Sequence, residues 1–538
     1  MKKLLLIKLA ALSAAVSASF SLASCNMDAM QTSESTEHSS ISTTITEPEP
    51  TASESATETT LDQNQPNPAG IDYQSSKTIK TATTEKKKTY SSTGADQSAL
   101  IVNGKKIKVS LTNPVIKKSG DTSSDDYSRR YGVNAAFLAM GGSSAYITGG
   151  TITTEGKGAN GVFAYAGYGE QNGNSGDGTT FNIADSKITT TGSNACGLVS
   201  AKGAKTTASN LTITTSGESS PAVATVNAGE NVNIKGGTYT TEGSYSPALY
   251  ATATVNISGG ANLIANSSEG VVVNGKNEVS LADTNVTANH TKRSEKAKIP
   301  SSILVHQSAS ANGATGTTSF TMTRGTLTSK SGHVFHVTNT NGIINISGIT
   351  LVNEDKDKII LSVSPDGWDG NENVAIFNVT KTALEGNILV AKKGKLTINF
   401  SNGASFTGTF SGNIVSADGE QISKDQGIVY VNLGPDCTWT LTEDTHITSF
   451  AGDMNNVKLN GHKLFVSGNV VTPTGSPKQA TPTPKVNRPT ATPKPKKKKA
   501  TATPKPKKKK ATPTKKPTPK TNNQNQGGNN GGNNGGTP

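Results

Sequence analysis

Residues 145–166 read AYITGGTITTEGKGANGVFAYA, and two later stretches repeat the same pattern. They are TFNIADSKITTTGSNACGLVSA, which starts at Thr180, and NVNIKGGTYTTEGSYSPALYAT, which starts at Asn231. Each stretch contains three short runs rich in β-branched residues, in which apolar and polar side chains alternate. Turns containing Gly, Asn or Asp separate the runs. The pattern predicts three short β-strands per repeat.

The repeat extends through most of the chain, and most gaps between equivalent positions are about 23 to 26 residues. The equivalent positions in the first run are Ile147, Ile183, Ala208, Ile234, Ile257, Leu281, Met322, Ile346, Phe377 and Ile398. Those in the third run are Val162, Leu198, Val223, Leu249, Val271, Leu304, Val334 and Ile360. A repeat of this length is typical of a solenoid, and no stretch has the period of an amphipathic helix.

These observations predict an all-β fold, a right-handed parallel β-helix solenoid of roughly ten rungs over residues 98–470. Stacked rungs lie about 4.8 Å apart, and each buries the apolar edge of its neighbour. We expect Leu100 to Leu111 to begin the stack and residues 437–466 to close it, with Trp439 as a plug. The alternative is a β-sandwich or several immunoglobulin-like domains, whose strands repeat less regularly.

The composition agrees with a solenoid, because Gly accounts for 55 of 538 residues and aromatic residues for 5%. A thick helical core would need more large apolar side chains. The chain has 3 cysteines, of which Cys196 and Cys437 lie many rungs apart in the predicted stack. We therefore expect both to be buried thiols rather than a disulfide.

The first residues predict export. Lys2 and Lys3 precede a short apolar run, which is typical of a secretory signal and too short for a good membrane span. The run ends in Leu22-Ala23-Ser24-Cys25, which resembles the bacterial lipoprotein box. The resemblance implies a signal peptide over residues 1–24, lipidation of Cys25 and anchoring to a membrane at the cell surface. The alternative is an ordinary secretory signal.

Two low-complexity arms are expected to flank the solenoid. Residues 25–97 are rich in Ser, Thr and Glu and predict a disordered tether. Residues 471–538 carry sixteen Lys and Arg and no acid. The whole chain has a net charge of +13, so the part before this tail has a net charge of −3. The composition of this tail predicts that it is disordered and binds a polyanion, either an anionic cell-wall polymer or an acidic polysaccharide. Any binding of nucleic acid would be nonspecific. The lysines of its two blocks are Lys496, Lys497, Lys498, Lys499, Lys507, Lys508, Lys509 and Lys510.

Insertions between strands are the predicted functional sites. Residues 118–132 and 290–301 follow the second strand of their rungs, whereas residues 167–178, 307–317 and 365–373 follow the third. Because loops that follow the same strand project from the same edge of the rod, each family could wall a groove.

The third-strand loops carry two candidate sites. Tyr165, Tyr168 and Trp368 are glycan-binding candidates, since a flat ring can cover the C–H face of a sugar; the alternative is that Tyr165 and Trp368 pack under their own loops. Asp366, Asp369 and Glu372 have the composition of a calcium loop, although the spacing of an EF-hand is missing. Calcium is the ion predicted there, and a solvated acidic turn is the alternative.

Catalytic residues are harder to find. Asp125, Asp126, Arg129 and Arg130 supply the residue types of a polysaccharide lyase, but a surface ion-pair cluster explains them equally. His333 and His336 are three residues apart, so on a regular strand they point to opposite faces and should not chelate a metal together. No nucleophile elbow, phosphate loop or paired-cysteine motif is present in the sequence.

The repeats resemble the right-handed parallel β-helix superfamily that includes pectate lyases, and more closely the carbohydrate-binding or adhesin-like β-helix lipoproteins of gut and plant-degrading bacteria. The residues that carry the resemblance are Leu22 to Cys25, the ITGGTITTEG-type rungs and the closing WTLTEDTHITSF stretch. It implies a non-enzymatic surface lipoprotein that binds polysaccharide or glycan through its loops. A polysaccharide lyase or hydrolase and a structural surface spacer are the alternatives.

Overall fold

The computed structural model describes residues 70–167, 176–226, 231–291, 297–308, 316–368 and 370–472. Cys25, Tyr168, Asp369 and the lysines of the basic tail lie outside the described residues. Within them, nearly all regular structure is β-strand, with one short helix, α1 (Asp125–Tyr131), and a 3-10 turn at Met454–Asn456. No helix in these ranges is long and apolar enough to cross a membrane.

The strands of the N-terminal part are β1 (Gln74–Ser75), β2 (Thr78–Ile79), β3 (Thr83–Lys86), β4 (Thr89–Ser92), β5 (Gln97–Ser98), β6 (Leu100–Asn103), β7 (Lys108–Thr112), β8 (Val115–Lys118), β9 (Phe137–Met140), β10 (Ser144–Thr148), β11 (Thr151–Thr154), β12 (Val162–Tyr165), β13 (Thr180–Ala184), β14 (Lys187–Thr190), β15 (Leu198–Ala201) and β16 (Lys205–Ser209). The middle part contains β17 (Thr212–Thr215), β18 (Val223–Val226), β19 (Val232–Lys235), β20 (Thr238–Thr241), β21 (Leu249–Ala251), β22 (Val255–Ser258), β23 (Asn262–Ala265), β24 (Val271–Asn274), β25 (Glu278–Ala282), β26 (Asn285–Asn289), β27 (Ser301–His306), β28 (Thr317–Thr323), β29 (Thr326–Ser331), β30 (His333–Thr338), β31 (Thr340–Ser347) and β32 (Thr350–Asn353). The C-terminal part contains β33 (Ile359–Val363), β34 (Asn373–Thr380), β35 (Ala383–Glu385), β36 (Asn387–Val390), β37 (Gly394–Ser401), β38 (Ser405–Thr407), β39 (Phe410–Ser411), β40 (Ile414–Val415), β41 (Gln421–Ser423), β42 (Ile428–Leu433), β43 (Thr438–Thr440), β44 (Thr445–Ile447), β45 (Ser449–Ala451), β46 (Val457–Lys458), β47 (Leu464–Val466) and β48 (Asn469–Val471).

These strands stack into three long parallel sheets. The first-strand sheet has 14 strands from β3 to β45, and the third-strand sheet has 13 strands from β2 to β39. The second-strand sheet runs over 10 strands from β4 to β32, and β35, β38, β43 and β46 continue at the same place in later rungs. Successive rungs therefore pair strand by strand in parallel, which confirms the predicted β-helix. The right-handed sense of the coil stays a prediction.

The predicted equivalences in the first run are largely correct. Ile147 pairs with Ile183, and the register continues through each predicted position to Met322 and Ile346. The partner of Ile346 is Val379 rather than Phe377, so the sequence alignment slipped by two residues at that rung. Because the slip is an even number, Phe377 still faces the core.

The predicted equivalences in the third run are less accurate. Val271 pairs with Ile303, so Leu304 faces outward, where it joins a second apolar cluster. Val334 faces the core together with its neighbour Phe335. Two consecutive residues point inward just before most third strands, as Ala222–Val223 and Ala248–Leu249 also do. Because of this break in the alternation, the predicted equivalent positions in these later rungs are one residue away from the paired ones.

The solenoid is longer than predicted. The first-strand sheet contributes 14 rungs where roughly ten were expected. The first rung spans β1 to β4, and β5 begins the second rung by pairing with β1. Residues 74–97 therefore belong to the fold and not to the tether that was predicted to reach residue 97. These strands were missed because their side chains are mostly polar, and they pair on one side only. At the other end β48 closes a hairpin with β47 through Val471, one residue beyond the predicted boundary.

Glycines mark the corner between the second and third strands for a steric reason. A Cβ atom on Gly156, Gly192, Gly217 or Gly243 would lie 1.9–2.2 Å from the carbonyl oxygen of the corner glycine in the preceding rung. Only Gly permits so close an approach of two backbones. This explains why the Gly of the repeated T-x-G pattern recurs with the rung.

The interior is a continuous stack of aliphatic and aromatic ladders. Ile152, Ile188 and Ile213 occupy successive rungs of the second-strand sheet and are fully buried. Cys196 and Cys437 are buried free thiols, as predicted. Burial raises the pKa of the Cys196 thiol to about 12, so it stays protonated and unreactive.

Trp439 fills the C-terminal end of the stack, as predicted. It is completely buried, stacks on Phe406 at a centroid distance of 6.0 Å and meets Phe410 edge-on at 5.5 Å. Its indole Nε1 donates a hydrogen bond of 3.0 Å to the carbonyl oxygen of Gly408. The aromatic group thus satisfies its one polar atom while it covers the last rungs.

We predict that Trp439→Ala lowers the free energy of unfolding by about 3–5 kcal/mol, because it opens a large cavity and leaves the Gly408 carbonyl oxygen without its donor. Trp439→Phe should cost less. Chemical denaturation followed by circular dichroism measures both. A loss below about 1 kcal/mol for Trp439→Ala would mean that the end of the rod does not depend on this plug.

Candidate functional site: a polar cleft beside the third-strand sheet

The third-strand sheet is buried on both faces, unlike the other two. Every residue of β12, β15 and β18 is buried, whereas strands of the first-strand sheet such as β10 and β13 alternate buried and partly exposed residues. The outward residues form a second apolar cluster that includes Phe163, Val199, Tyr250, Leu304 and Trp368. Both loop families border this sheet, because one leads into its strands and the other leaves them. The two families therefore meet over its outer face.

The glycan-binding candidates lie in this covered layer. Tyr165 is completely buried, and its ring centroid lies 5.9 Å from that of Tyr131 in α1. Trp368 is 6% exposed, and its ring centroid lies 4.5 Å from that of His306. Neither ring offers an open face to a sugar. The contacts that bury them come from α1 and β27, whereas the alternative placed each ring under its own loop. Tyr168 is outside the described residues.

The charged residues considered for lyase chemistry form ion pairs on and around α1. Arg130 Nε lies 2.5 Å from Asp126 Oδ1, and Lys157 Nζ lies 2.9 Å from Asp125 Oδ2. Arg129 is buried and donates a hydrogen bond of 2.6 Å from Nη2 to Asn194 Oδ1. Asp125, Asp126 and Arg130 thus form ion pairs, as the alternative to catalysis proposed, whereas Arg129 is buried against a neutral amide.

Asp366 has a structural position that the calcium prediction did not anticipate. Its side chain is completely buried. Oδ1 accepts hydrogen bonds from the backbone N–H of Lys298 at 2.7 Å and of Gly367 at 2.9 Å. Glu372, by contrast, is exposed. Asp366 thus fastens the loop after β33 to the loop before β27.

Among the described residues, which omit Asp369, no group of three or more His, Cys, Asp or Glu side chains is arranged to hold a metal ion. The calcium loop stays a prediction for the residues that the structure does not describe.

His333 and His336 were expected on opposite faces of a strand, and this expectation is wrong. Both rings reach Ser362, with Nδ1–Oγ distances of 2.7 Å for His333 and 2.8 Å for His336. The reason is the inward pair Val334–Phe335 between them, which returns the third residue to the outer face. The strand pattern alone could not reveal this, because it assumes strict alternation.

Asp366 extends this cluster. Its Oδ2 lies 3.3 Å from His336 Nε2, although the angle is too poor for a regular hydrogen bond. A consistent proton arrangement has His333 Nδ1–H donating to Ser362 Oγ, Ser362 O–H donating to His336 Nδ1, and the remaining ring proton of His336 facing the carboxylate. Ser362 and His336 are completely buried, so the cluster holds the loop rather than a substrate.

Two of the third-strand loops wall a polar cleft of about 470 Å³, as the grouping of insertions predicted. One wall includes Gln307 and Gly316, the other is formed by residues 370–372, and the floor is the start of β31. The lining residues are Gln307, Gly316, Thr340, Asn341, Gly370, Asn371 and Glu372. Asn341, Asn371 and Glu372 are exposed and free of apolar neighbours in this lining.

Asn339 joins the two walls, and it was not among the predicted site residues. Its Nδ2 donates a hydrogen bond of 2.6 Å to the carbonyl oxygen of Gln307, and its Oδ1 accepts one of 2.7 Å from the N–H of Asn371. Its backbone is left-handed, with φ of 52°, a conformation that Asn tolerates well. An Asn at or directly after the end of a third strand, as Asn274 also is, is the feature of the sequence that could have identified it.

The start of the first wall, next to Gln307, is held by hydrogen bonds to the preceding rung. Asn274 donates a hydrogen bond of 2.8 Å to the hydroxyl of Tyr250, and its Oδ1 accepts one of 3.0 Å from the N–H of Ser308. The cleft therefore has walls held at both ends and a surface of carboxamide, hydroxyl and carboxylate groups. Such a surface can exchange hydrogen bonds with a hydroxyl-rich ligand. Among the residues that the structure describes, neither Tyr165 nor Trp368 contributes the expected aromatic platform to the lining.

Comparisons with known proteins add little to this picture. No protein-family model matches the sequence, and no curated protein matches it. A solved chain from "The cryo-EM structure of the Vag8-C1 inhibitor complex" matches with 18% identity and a TM-score of 0.37, covering 71% of this chain and 100% of that chain. At that level of similarity the match says nothing about ligands, and the assignment of the fold rests on the strand pairings.

We predict that the His333 cluster makes stability sensitive to acid. Burial, with a smaller effect of His336, lowers the pKa of His333 to about 3, whereas an unfolded histidine titrates near 6.5. Below pH 6.5 the unfolded state therefore binds a proton that the folded state does not, so stability falls as the pH decreases toward 3, and nothing is gained above pH 6.5.

The matched variant is His333→Gln, which keeps a polar group next to Ser362 but cannot titrate. Its free energy of unfolding should fall less steeply between pH 6.5 and 4, by up to about 1 kcal/mol per pH unit. Urea denaturation at several pH values measures the difference. Identical slopes for the two proteins would contradict the assignment.

Proposed function

We propose that this chain is an exported, lipid-anchored surface protein whose β-helix binds a polysaccharide or glycan without cleaving it. The observation that carries the proposal is the cleft between the loops after β27 and β33, with its exposed Asn341, Asn371 and Glu372. In this proposal the lipid on Cys25 holds the protein at the membrane, and residues before Gly70 carry the rod outward.

The chemistry of the lining suits a sugar chain. Carboxamides supply paired donors and acceptors, and a carboxylate makes strong, charge-assisted bonds to hydroxyl groups. The residues that line the cleft are polar or glycine, which disfavours a lipid or an aromatic cofactor as its ligand. Its open shape suits a segment of a longer polymer, which can enter and leave along the groove.

Binding without cleavage is favoured over a lyase or hydrolase because the acids and bases considered for catalysis are engaged elsewhere. Asp125, Asp126 and Arg130 form ion pairs around α1, and Asp366 accepts backbone hydrogen bonds. Glu372 is the one carboxylate in the lining of the described cleft. A surface spacer remains the alternative if no glycan binds.

We predict that Asn341→Ala, Asn371→Ala and Glu372→Gln together weaken glycan binding about tenfold or more, because each removes one or two hydrogen bonds from the lining. The full chain with Cys25→Ser is applied to a glycan array with and without calcium, and both binding and product release are read. Asn455→Ala is the control, since Asn455 is exposed near the C-terminal end of the rod.

Equal loss in the control, or no change in the triple variant, would contradict the cleft as the site. Release of cleaved glycan would indicate a lyase or hydrolase instead of a binding protein. Binding that needs calcium would support a calcium site at Asp369 and Glu372. The absence of binding to every glycan on the array would favour the role of a surface spacer.

The basic tail is proposed to bind linear polyanions such as an anionic cell-wall polymer. Deleting residues 473–538 should abolish binding to polygalacturonate, and in the full chain that binding should weaken steeply as salt rises, because the attraction is between exposed charges. The deletion begins at residue 473 so that the hairpin of β47 and β48 stays intact. Salt-independent binding, or binding that survives the deletion, would contradict this role.

A further inference from the structure

The N-terminal end of the rod carries a dense ring of positive charge. Residues 70–118, which form the first two rungs, contain ten Lys and three acidic residues, a net charge of +7. Residues 119–472 contain 23 basic and 28 acidic residues, a net charge of −5. The folded part of the chain is therefore strongly polarised along its axis.

Nine of these lysines are exposed, and none of the nine forms an ion pair within the described residues. We call them the lysine collar: Lys77, Lys80, Lys86, Lys87, Lys88, Lys105, Lys106, Lys108 and Lys117. The tenth, Lys118, is buried and donates to the carbonyl oxygen of Gly94, and burial lowers its pKa to about 8. It is excluded from the collar.

The collar surrounds the rod instead of lining one side of it. Lys77 and Lys80 flank β2 in the third-strand sheet, Lys86 ends β3 in the first-strand sheet, and Lys117 lies on β8 in the second-strand sheet. A linear polymer that lies along one sheet would reach only part of such a ring. A flat anionic surface that meets the end of the rod can engage most of it.

The free backbone edge of the first rung suggests a simpler role, since lysines discourage edge-to-edge pairing of strands. That role accounts for the lysines on β3 and its corner. It does not account for Lys105, Lys106, Lys108 and Lys117, which lie in the second rung, where both backbone edges of the strands are already paired.

We propose that the lysine collar docks the N-terminal end of the rod on a membrane that contains anionic phospholipids. The described chain begins at Gly70, 45 residues after Cys25, the residue proposed to carry the lipid, so the collar is the part of the rod nearest that anchor in the chain. Basic groups next to a lipid anchor add to its membrane affinity. The negative remainder of the rod is repelled by the same surface, which favours an end-on orientation.

The intervening chain offers a competing partner. Residues 26–69 contain eight acids and no Lys or Arg, so they could neutralise the collar within the molecule. These acids are Asp28, Glu34, Glu37, Glu47, Glu49, Glu54, Glu58 and Asp62. They are spread over a long Ser- and Thr-rich stretch, so their charge density is lower than that of the collar. We therefore expect the collar to bind a bilayer rich in anionic headgroups more strongly than it binds residues 26–69.

The test uses the full chain with Cys25→Ser, so that no acyl chain contributes. A fluorophore is attached either at Thr81→Cys in the first rung or at Thr442→Cys near the far end, both at exposed positions. Vesicles contain phosphatidylcholine alone or mixed with phosphatidylglycerol, together with a lipid that carries a nitroxide quencher on its headgroup. Because the basic tail can bind the same vesicles, the position of the quenched label reports which end docks.

We expect quenching of the Thr81 label on the anionic vesicles, little on neutral vesicles, and loss at high salt. Lys77→Gln, Lys80→Gln, Lys86→Gln, Lys88→Gln and Lys105→Gln together should reduce it about tenfold or more, since each lysine contributes appreciably to binding at an anionic surface. The matched control replaces five exposed lysines elsewhere, namely Lys330, Lys393, Lys424, Lys458 and Lys463. Unfolding midpoints confirm that both variants fold.

Three outcomes would overturn the proposal. One is equal loss in the control variant, which would make the effect one of net charge. Another is quenching of the Thr81 label that appears only after the eight acids are replaced by their amides, which would identify residues 26–69 as the partner of the collar. The third is collar-dependent binding to soluble polygalacturonate with no quenching on vesicles, which would assign the collar to linear polyanions.

Discussion

The hydrogen bonds between rungs are the interaction on which the whole structure depends. Within each of the three long sheets, successive strands pair in parallel with their copies in the next rung, so the backbone of a chain with only 32% hydrophobic residues is satisfied along the axis of the rod. The apolar ladders then need only one or two inward residues per strand. Small residues at the corners are required by the same stacking, as the column of glycines from Gly156 to Gly243 illustrates.

The functional features follow from where that stacking is interrupted. Insertions occur at the two corners that border the third-strand sheet, and they cover its outer face with a second apolar layer around Leu304 and Trp368. Polar groups trapped in that layer are used to fasten loops. Asn339 joins the walls of the cleft, and Asp366 ties one wall to the loop before β27. The exposed polar lining is thus held by buried polar contacts one layer below.

The sequence predicted the periodic part of the molecule well. The first-run register from Ile147 to Ile346 and the plug at Trp439 are correct because inward residues recur at nearly constant spacing. The prediction failed where a polar rung, β1 to β4, begins the fold, and where two inward residues bring His333 and His336 onto one face. The grouping of loops predicted the cleft but not its lining, because Tyr165 and Trp368 are buried, while Tyr168 lies outside the described residues.

We propose the cleft beside the third-strand sheet as the ligand-binding surface of the rod, and a crystal structure of the protein with an oligosaccharide selected from the array is the decisive measurement. We expect density for the sugar in the cleft, with hydroxyl groups hydrogen-bonded to Asn341, Asn371 or Glu372. Density on an outer sheet face or at the ends of the rod, with the cleft filled by solvent, would contradict it.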